Sequence, residues 1–379
     1  MFKVFQYRLY PTKAQTEALV SQLNGHRYLY NKALEQRKNI YEQTGEGVGY
    51  CLQAKMLIPE LRGTSDVVAL CNYSSLQQTL RRLDKAFKSF FRRVKSGNKP
   101  GYPRFKAHDR FNTIDYARIG DGCQIKGDRL YLQNIGLVKV KWHRPVEGDI
   151  ENVSITRRND KWYSSFLVET EPIYLPLTGK VIGIDVGLSH FITTTEGEQV
   201  DAPKCFRQSE KKLAKAQRKL ARRKKGSNRR KKARKLVAKQ HEKIANQRLD
   251  FCHKLTHDLV QRYDGFAVED LNIQNMVKNR HLSKSISDVA WGQFLLILKS
   301  KAENAGRKYQ EVNPAYTSQE CSSCTKIVKK TLAIRIHNCP HCGLYMDRDQ
   351  NAALNILART GPSWRSDVGR SVEARSRRL

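Results

Sequence analysis

Three acidic stretches and four cysteines hold the residues of this chain that could do chemistry. Asp185 lies in KVIGIDVGLSHFITTT (180–195), inside a β-branched run of Val181, Ile182, Ile184 and Val186 with the composition of a strand buried on both faces. A carboxylate buried without partners is costly, so it neutralises itself or finds a cation. Gly183 and Gly187 bracket Asp185 and leave room for a ligand or another backbone to come close. Read by itself, Asp185 could equally cap a turn at a strand end, but two later segments shift the balance. Glu269 closes the apolar run of GFAVEDLN (265–272), at the C-terminal end of a strand, where open α/β sheets place ligands. In DRDQNAALNILAR (347–359) either Asp347 or Asp349 opens a helix, and a plain N-cap is the competing role for each. Three carboxylates gathered on one sheet could hold two divalent cations, which clamp the attacking and leaving oxygens of a phosphodiester. Mg²⁺ suits such oxygen ligands.

The cysteines read C-S-S-C, fourteen residues, C-P-H-C: Cys321, Cys324, Cys339 and Cys342. Each pair forms a knuckle presenting two thiolates, the spacing of a tetrahedral zinc site. Four thiolates leave no open position, so this metal would hold a fold and not catalyse. His337 and His341 stand close enough to substitute, but four cysteines suffice. The other five, Cys51, Cys71, Cys123, Cys205 and Cys252, are scattered, which suits a reducing cytoplasm better than a disulfide framework.

The elements that must carry these residues follow from periodicity. Phe2 to Tyr10 alternates as a strand and stops at Pro11. Thr12 with Gln15 then makes a capping box for a helix running to about Tyr41, whose Leu19, Leu23, Tyr30 and Leu34 form its core face. Gly45, Gly47 and Gly49 break the pattern. Ser75 to Gly97 is an amphipathic helix with a basic face, followed by KPGYPRFK. From about Arg110 to Thr170 short alternating strands are separated by turns at Gly120 to Gly122, Gly127-Asp128, Gly148-Asp149 and Asn159-Asp160, the pattern of a small β-barrel or sandwich. The first strand can join it, with the helical block inserted between. After the hairpin that contains Asp185, residues 207–243 hold 18 Lys or Arg against two Glu, a net of +16. Leucines at loose helical spacing and a break at Gly226-Ser227-Asn228 predict two basic helices joined by a turn, laid against phosphates. Ser285 to Ala305 reads as a helix, Tyr309 to Val312 as a strand, and the polar, basic tail from Thr360 as disordered.

A chain of 379 residues is long enough for two or three domains, and its 70 Lys and Arg against 36 Asp and Glu give a formal charge of +34. Such an imbalance repels itself unless a polyanion is present, so nucleic acid is the expected partner. A membrane surface is not expected: no apolar run is long enough to span a bilayer, and the first residues alternate instead of forming a signal core.

The order GIDVG, VEDLN, DRDQNAALN, with paired CxxC motifs ahead of the last, resembles the RuvC-type nuclease domain, and more narrowly the TnpB family of RNA-guided nucleases carried by bacterial insertion sequences and related to type V CRISPR effectors. RLYPTKAQ, GYPRFK and SISDVAWGQF extend the resemblance over nearly the whole chain. It implies a multidomain α/β protein: an RNase H-like (RuvC) domain with an inserted zinc ribbon, preceded by a small β-barrel that carries an inserted helical domain. The implied boundaries are a wedge-like barrel at 1–12 and 108–178, a helical recognition module at 13–107, a nuclease at 179–314 and 344–358, a ribbon at 315–343 and a basic tail at 359–379. It further implies Asp185, Glu269 and Asp349 as catalytic acids holding two Mg²⁺, and one structural Zn²⁺ on the four cysteines. The implied partners are guide RNA from the transposon end and double-stranded target DNA cut beside a short motif. Tyr50 and Gln77 fall near the motif-reading positions, and Arg81, Arg82, Arg222, Arg223, Lys224, Arg229 and Arg230 are the expected phosphate contacts. A monomer in the bacterial cytoplasm, associated with the nucleoid, is expected. A DNA transposase using the same acids for strand transfer, or a non-catalytic zinc-ribbon nucleic-acid-binding protein, are the competing readings; the second leaves three strand-associated carboxylates unexplained.

Overall fold

A computed structural model describes residues 1–203, 205–271, 276, 291–331 and 334–364, and divides them into two compact units at Glu171/Pro172. The segment 285–290 of the expected SISDVAWGQF helix and the tail beyond 364 lie outside the described residues.

The first unit begins with β1 (Phe2–Tyr10), whose Phe5, Tyr7 and Leu9 point inward while Phe2, Val4 and Tyr10 stay exposed. The capping box forms as its residues dictate: Thr12 Oγ1 accepts from the Gln15 amide at 3.2 Å, and the Thr12 amide donates to Gln15 Oε1 at 3.0 Å. Helix α1 (Lys13–Thr44) follows and ends on Gly45 in the left-handed region, φ +71°. Helices α2 (Tyr50–Thr64), α3 (Asp66–Ala69) and α4 (Tyr73–Lys95) complete the helical block.

Strands β2 (Thr113–Tyr116), β3 (Cys123–Lys126), β4 (Arg129–Leu132), β5 (Gly136–Lys141), β6 (Asp149–Arg158) and β7 (Lys161–Glu169) join β1 in a seven-stranded antiparallel sheet ordered β2-β6-β7-β1-β5-β4-β3. Asn159 and Asp160, both at positive φ, make the two-residue β6–β7 hairpin turn. The expected barrel is not closed: β2 and β3 end the sheet without pairing, so it is a half-barrel. Helices α1 and α4 pack against β2, and one apolar core runs from Leu19, Leu29 and Leu80 to Ile114, Tyr116 and Phe166. Burial is thus completed by helices, and closure is not needed.

His26 is the polar exception in that core. It is fully buried between Thr79 Oγ1, 2.8 Å from Nδ1, and Ser75 Oγ, 3.2 Å from Nε2. Burial, aided by the Arg82 charge, lowers its pKa to about 3. A base whose folded pKa lies below its unfolded value contributes stability that is present above the unfolded pKa and lost as pH falls toward the folded one. The wild type should therefore lose stability relative to His26→Gln between pH 6.5 and about 3, by roughly 1.4 kcal/mol per pH unit. Urea midpoints at several pH values check this; parallel curves for the two proteins would contradict it.

The second unit is built on a five-stranded sheet ordered β10-β9-β8-β11-β12, from β8 (Val181–Asp185), β9 (Ile192–Thr194), β10 (Gln199–Val200), β11 (Gly265–Glu269) and β12 (Lys308–Val312). β8, β11 and β12 run parallel, and β9 and β10 are antiparallel additions. Between β10 and β11 come α5 (Cys205–Ala221) and α6 (Asn228–Arg262), packed together as a pair; Ser227 caps α6 by accepting from the Arg230 amide. Helix α7 (Trp291–Asn304) precedes β12, and a β13 (Ile336–Asn338), β14 (Tyr345–Asp347) hairpin leads into α8 (Arg348–Ala358).

Strand alternation explains how the sheet is covered. Ile182, Ile184, Phe266 and Val268 share a core with Leu259 of α6 and Phe294 and Leu298 of α7. The opposite face offers Gly183 and Ala267, partners in the parallel register, and α8 packs there through Ile356 and Leu357. A Cβ on Gly183 would lie 2.2 Å from the Ala353 carbonyl oxygen, so only glycine lets α8 come this close. A buried ion pair between Arg307 and Asp264 anchors the entrance to β8, because Asp264 also accepts from the Thr178 and Gly179 amides at 2.8 and 2.6 Å. No described helix is long and apolar enough to cross a membrane.

Candidate active site and metal centre

The register that pairs Gly183 with Ala267 continues as Ile184 with Val268 and brings Asp185 and Glu269, one residue further on, to neighbouring strand ends. Both belong to the alternating set that faces α8. That helix starts beside them: the loop after β8 lies against its first turn, with the Cβ position of Gly187 4.0 Å from Asp349 Oδ2. Asp347 is the N-cap, its Oδ1 accepting from the amides of Asp349 at 2.8 Å and Gln350 at 3.1 Å. Asp349 is thereby left as the buried acid of the pair, its carboxylate flanked by Arg348 at 3.2 Å and Arg335 at 3.5 Å.

Burial, reinforced by the charges of Glu269 and Asp349, raises the Asp185 carboxyl well above the usual carboxylate range, with Arg348 opposing. Burial also raises Glu269, opposed by the Thr317 hydroxyl and by Arg359. The repulsion that Asp185 feels from Glu269 and Asp349 is one that a divalent cation would relieve. Among the described residues these acids do not close into a cage of mutually adjacent ligand atoms; only the cysteines do.

The four cysteine sulfurs lie within 4.8 Å of one another. Cys321 to Cys342 and Cys324 to Cys339 are each 3.6 Å, too long for a disulfide and close to the edge of about 3.8 Å of a tetrahedron with 2.3 Å Zn–S bonds. The backbone turns of the knuckles are formed, with the Thr325 amide donating to the Cys321 carbonyl and the Gly343 amide to the Cys339 carbonyl. His337 and His341 stay outside the cluster.

The expected nucleic-acid contacts divide into two kinds. Tyr50, at the start of α2, carries the exposed Arg81 guanidinium 5.0 Å over its ring, and Gln77 lies one turn before Arg81 on α4. Arg222, Lys224 and Arg229 are exposed around the α5–α6 turn and Arg223 is half-buried. Arg82 and Arg230, both half-buried, also make internal contacts. Arg82 pairs with Asp115 and lies 5.1 Å over the Phe111 ring. Arg230 donates to the carbonyls of Leu220 and Arg223, at 3.1 and 2.8 Å, and so closes the end of α5.

Sequence reasoning missed a polar stripe on α8. Asn351 donates to the Glu320 carbonyl at 2.7 Å and accepts from the Ser322 amide at 3.0 Å. Asn355 donates to the carbonyls of Thr317 and Glu320, at 2.8 and 2.7 Å, and Arg359 pairs with the Glu320 carboxylate at 2.8 Å. The spacing of four along an apolar helix was the available signal.

A parallel-centred α/β sheet with clustered acids at its strand ends and an attached four-cysteine module defines the general class. Residues 165–280 match the OrfB_IS605 family, described as "Probable transposase", and residues 291–356 match the TNB domain of Cas12f1-like proteins. Residues 1–46 match a helix-turn-helix family, although here they form β1 and the single helix α1. A protein of Streptomyces pristinaespiralis that carries the provisional name RNA-guided DNA endonuclease is 34% identical over 94% of this chain and 89% of its own length. InsQ of Escherichia coli K12, provisionally named in the same way, is 29% identical over 94% of this chain and 92% of its own. A cryo-EM structure of a Cas12f1–sgRNA–target DNA complex superimposes over 94% of this chain and 98% of that one at 16% identity and a TM-score of 0.36, too weak a likeness to add to the assignment. This chain belongs to the OrfB_IS605 family of TnpB proteins.

Proposed function

We propose that this chain is an RNA-guided DNA endonuclease of an insertion sequence, cutting double-stranded DNA beside a short motif with a RuvC-type, Mg²⁺-dependent centre. The observation that carries the reading is the convergence of Asp185, Glu269 and Asp349 from two adjacent parallel strands and one helix start. The names of the relatives and the formal charge of +34 support the polyanionic substrate and guide.

In this reading Asp185, Glu269 and Asp349 would hold two Mg²⁺, and the ions would supply Lewis-acid stabilisation of the charge that develops on the phosphodiester. The chain's own residues do the positioning. Asp185 and Glu269 are fixed by the strand register, Asp349 by the capped first turn of α8, and the burial of Glu269 and Asp349 keeps water from screening them. The α5–α6 pair offers its exposed Arg and Lys to phosphates, which grips backbone and carries little sequence information. The four-cysteine module, with one Zn²⁺, keeps the segment before α8 folded.

The two aspartates of α8 should separate. Asp347→Ala loses a cap worth about 1 kcal/mol and should keep measurable cleavage. Asp349→Ala should fold and be inactive. Melting curves and cleavage assays on both check this, and the opposite pattern would assign the metal to Asp347.

The function itself is tested with supercoiled plasmid, Mg²⁺ and protein with and without bound RNA. Cleavage only by the RNA-loaded protein is expected. The family's "Probable transposase" description favours a second reading, strand transfer by the same acids; joined DNA products, or cleavage of one fixed site without RNA, would select it.

A further inference from the structure

We propose that Thr317 is a positioning residue for the acid centre: its hydroxyl orients the Glu269 carboxylate toward the cation that Asp185 and Glu269 share. This rests on the metal-dependent nuclease reading above. The hydroxyl donates to Glu269 Oε1 at 2.6 Å, and both side chains are buried. A hydroxyl carries one hydrogen. Its other acceptor, the Pro314 carbonyl, is 3.1 Å away, so the shorter bond to the carboxylate takes that hydrogen. With Oε1 engaged, the rotation of Glu269 is restrained, and Oε2 is the oxygen that would take the ligand role.

Thr317 is itself held from two sides. Its carbonyl accepts from Asn355, and three residues on, the Glu320 carbonyl accepts from both Asn351 and Asn355. The next residue is Cys321, and the amide of Ser322 inside that knuckle donates to Asn351. Asn351 sits two residues past Asp349 on α8. One helix therefore carries Asp349 at its start and clamps, through its asparagines, the segment whose hydroxyl sets Glu269. Partners of metal-ligating side chains typically contribute 10–100-fold to metal affinity or activity.

The experiment compares Thr317→Val, which keeps the shape and removes the hydroxyl, with Thr317→Ser, which keeps the hydroxyl. Mn²⁺ is titrated into the full RNA-free chain, followed by EPR, with Asp185→Ala as the blank; melting temperature and single-turnover cleavage by the RNA-loaded proteins are measured in parallel. Thr317→Val should bind Mn²⁺ at least about tenfold more weakly and cleave correspondingly more slowly, while Thr317→Ser stays within about threefold of wild type in both. Wild-type Mn²⁺ binding and cleavage by Thr317→Val would overturn the proposal and leave the nuclease reading standing. Equal losses in Val and Ser, tracking melting temperature, would show a purely structural residue and also overturn it. A wild type that neither cuts nor binds Mn²⁺ above the blank would instead refute the underlying reading.

Discussion

RNA-loaded Asp185→Ala protein is expected to cut target DNA about a thousandfold more slowly than wild type, or not at all, and to bind that DNA as tightly or more tightly. On the proposed reading the loss follows because Asp185 would be a ligand of a metal site supplying roughly 4 kcal/mol of transition-state stabilisation, each 1.36 kcal/mol being a factor of ten. The retained affinity follows from removing a negative charge near phosphates. Glu269→Ala should behave alike, because the register places the two acids at adjacent strand ends. Misfolding can be distinguished from this effect. The Asp185 carboxyl is raised by burial and by Glu269 and Asp349. An acid whose folded pKa exceeds its unfolded value costs stability above the unfolded pKa, and the cost vanishes as pH falls below it. In EDTA at pH 7.5 the Asp185→Ala protein should therefore melt no lower than wild type, with any advantage shrinking toward pH 4. Mg²⁺-dependent cutting by this variant would remove Asp185 from the site.

Cys339→Ser should lose the single zinc equivalent expected per chain by elemental analysis and melt roughly 10 °C lower, or aggregate. The sulfurs approach one another as a tetrahedral metal would set them, with Cys321 and Cys339 buried. The segment they hold carries the contacts that dock residues 317–322 on α8. Loss of activity should accompany the loss of fold and not precede it. A soluble, active preparation without zinc would refute the site.

Much of this arrangement was legible because local chemistry specifies it. β1 and the capped start of α1 follow from alternation and from Thr12 with Gln15, and the cysteine cluster follows from spacing. What sequence could not supply was register. Nothing in GIDVG or FAVED says that Gly183 lies beside Ala267, and that pairing is what sets Asp185 next to Glu269. Which of Asp347 and Asp349 caps the helix is likewise a matter of backbone geometry that the sequence leaves open. Strand count and turn spacing suit a barrel or a sandwich alike and do not report that helices cover the sheet, so the half-barrel was not legible. The internal partners of Arg82 and Arg230 were not legible, because charge in a basic stretch looks alike whether or not it also meets an internal acceptor. Asn351 and Asn355 went unnoticed because buried amides at helical spacing mean something only once their carbonyl partners are known.

The central claim is that bound RNA chooses where this protein cuts, the protein contributing grip and chemistry. The direct measurement is guide replacement: the protein is loaded with RNA whose guide segment has been changed, and cut sites are mapped on a plasmid carrying both the old and the new complement beside the same short motif. Cutting should move to the new complement, and RNA-free protein should bind the plasmid weakly, salt-sensitively and without preference. A cut site that stays where it was, or a defined cut made without RNA, would contradict the claim.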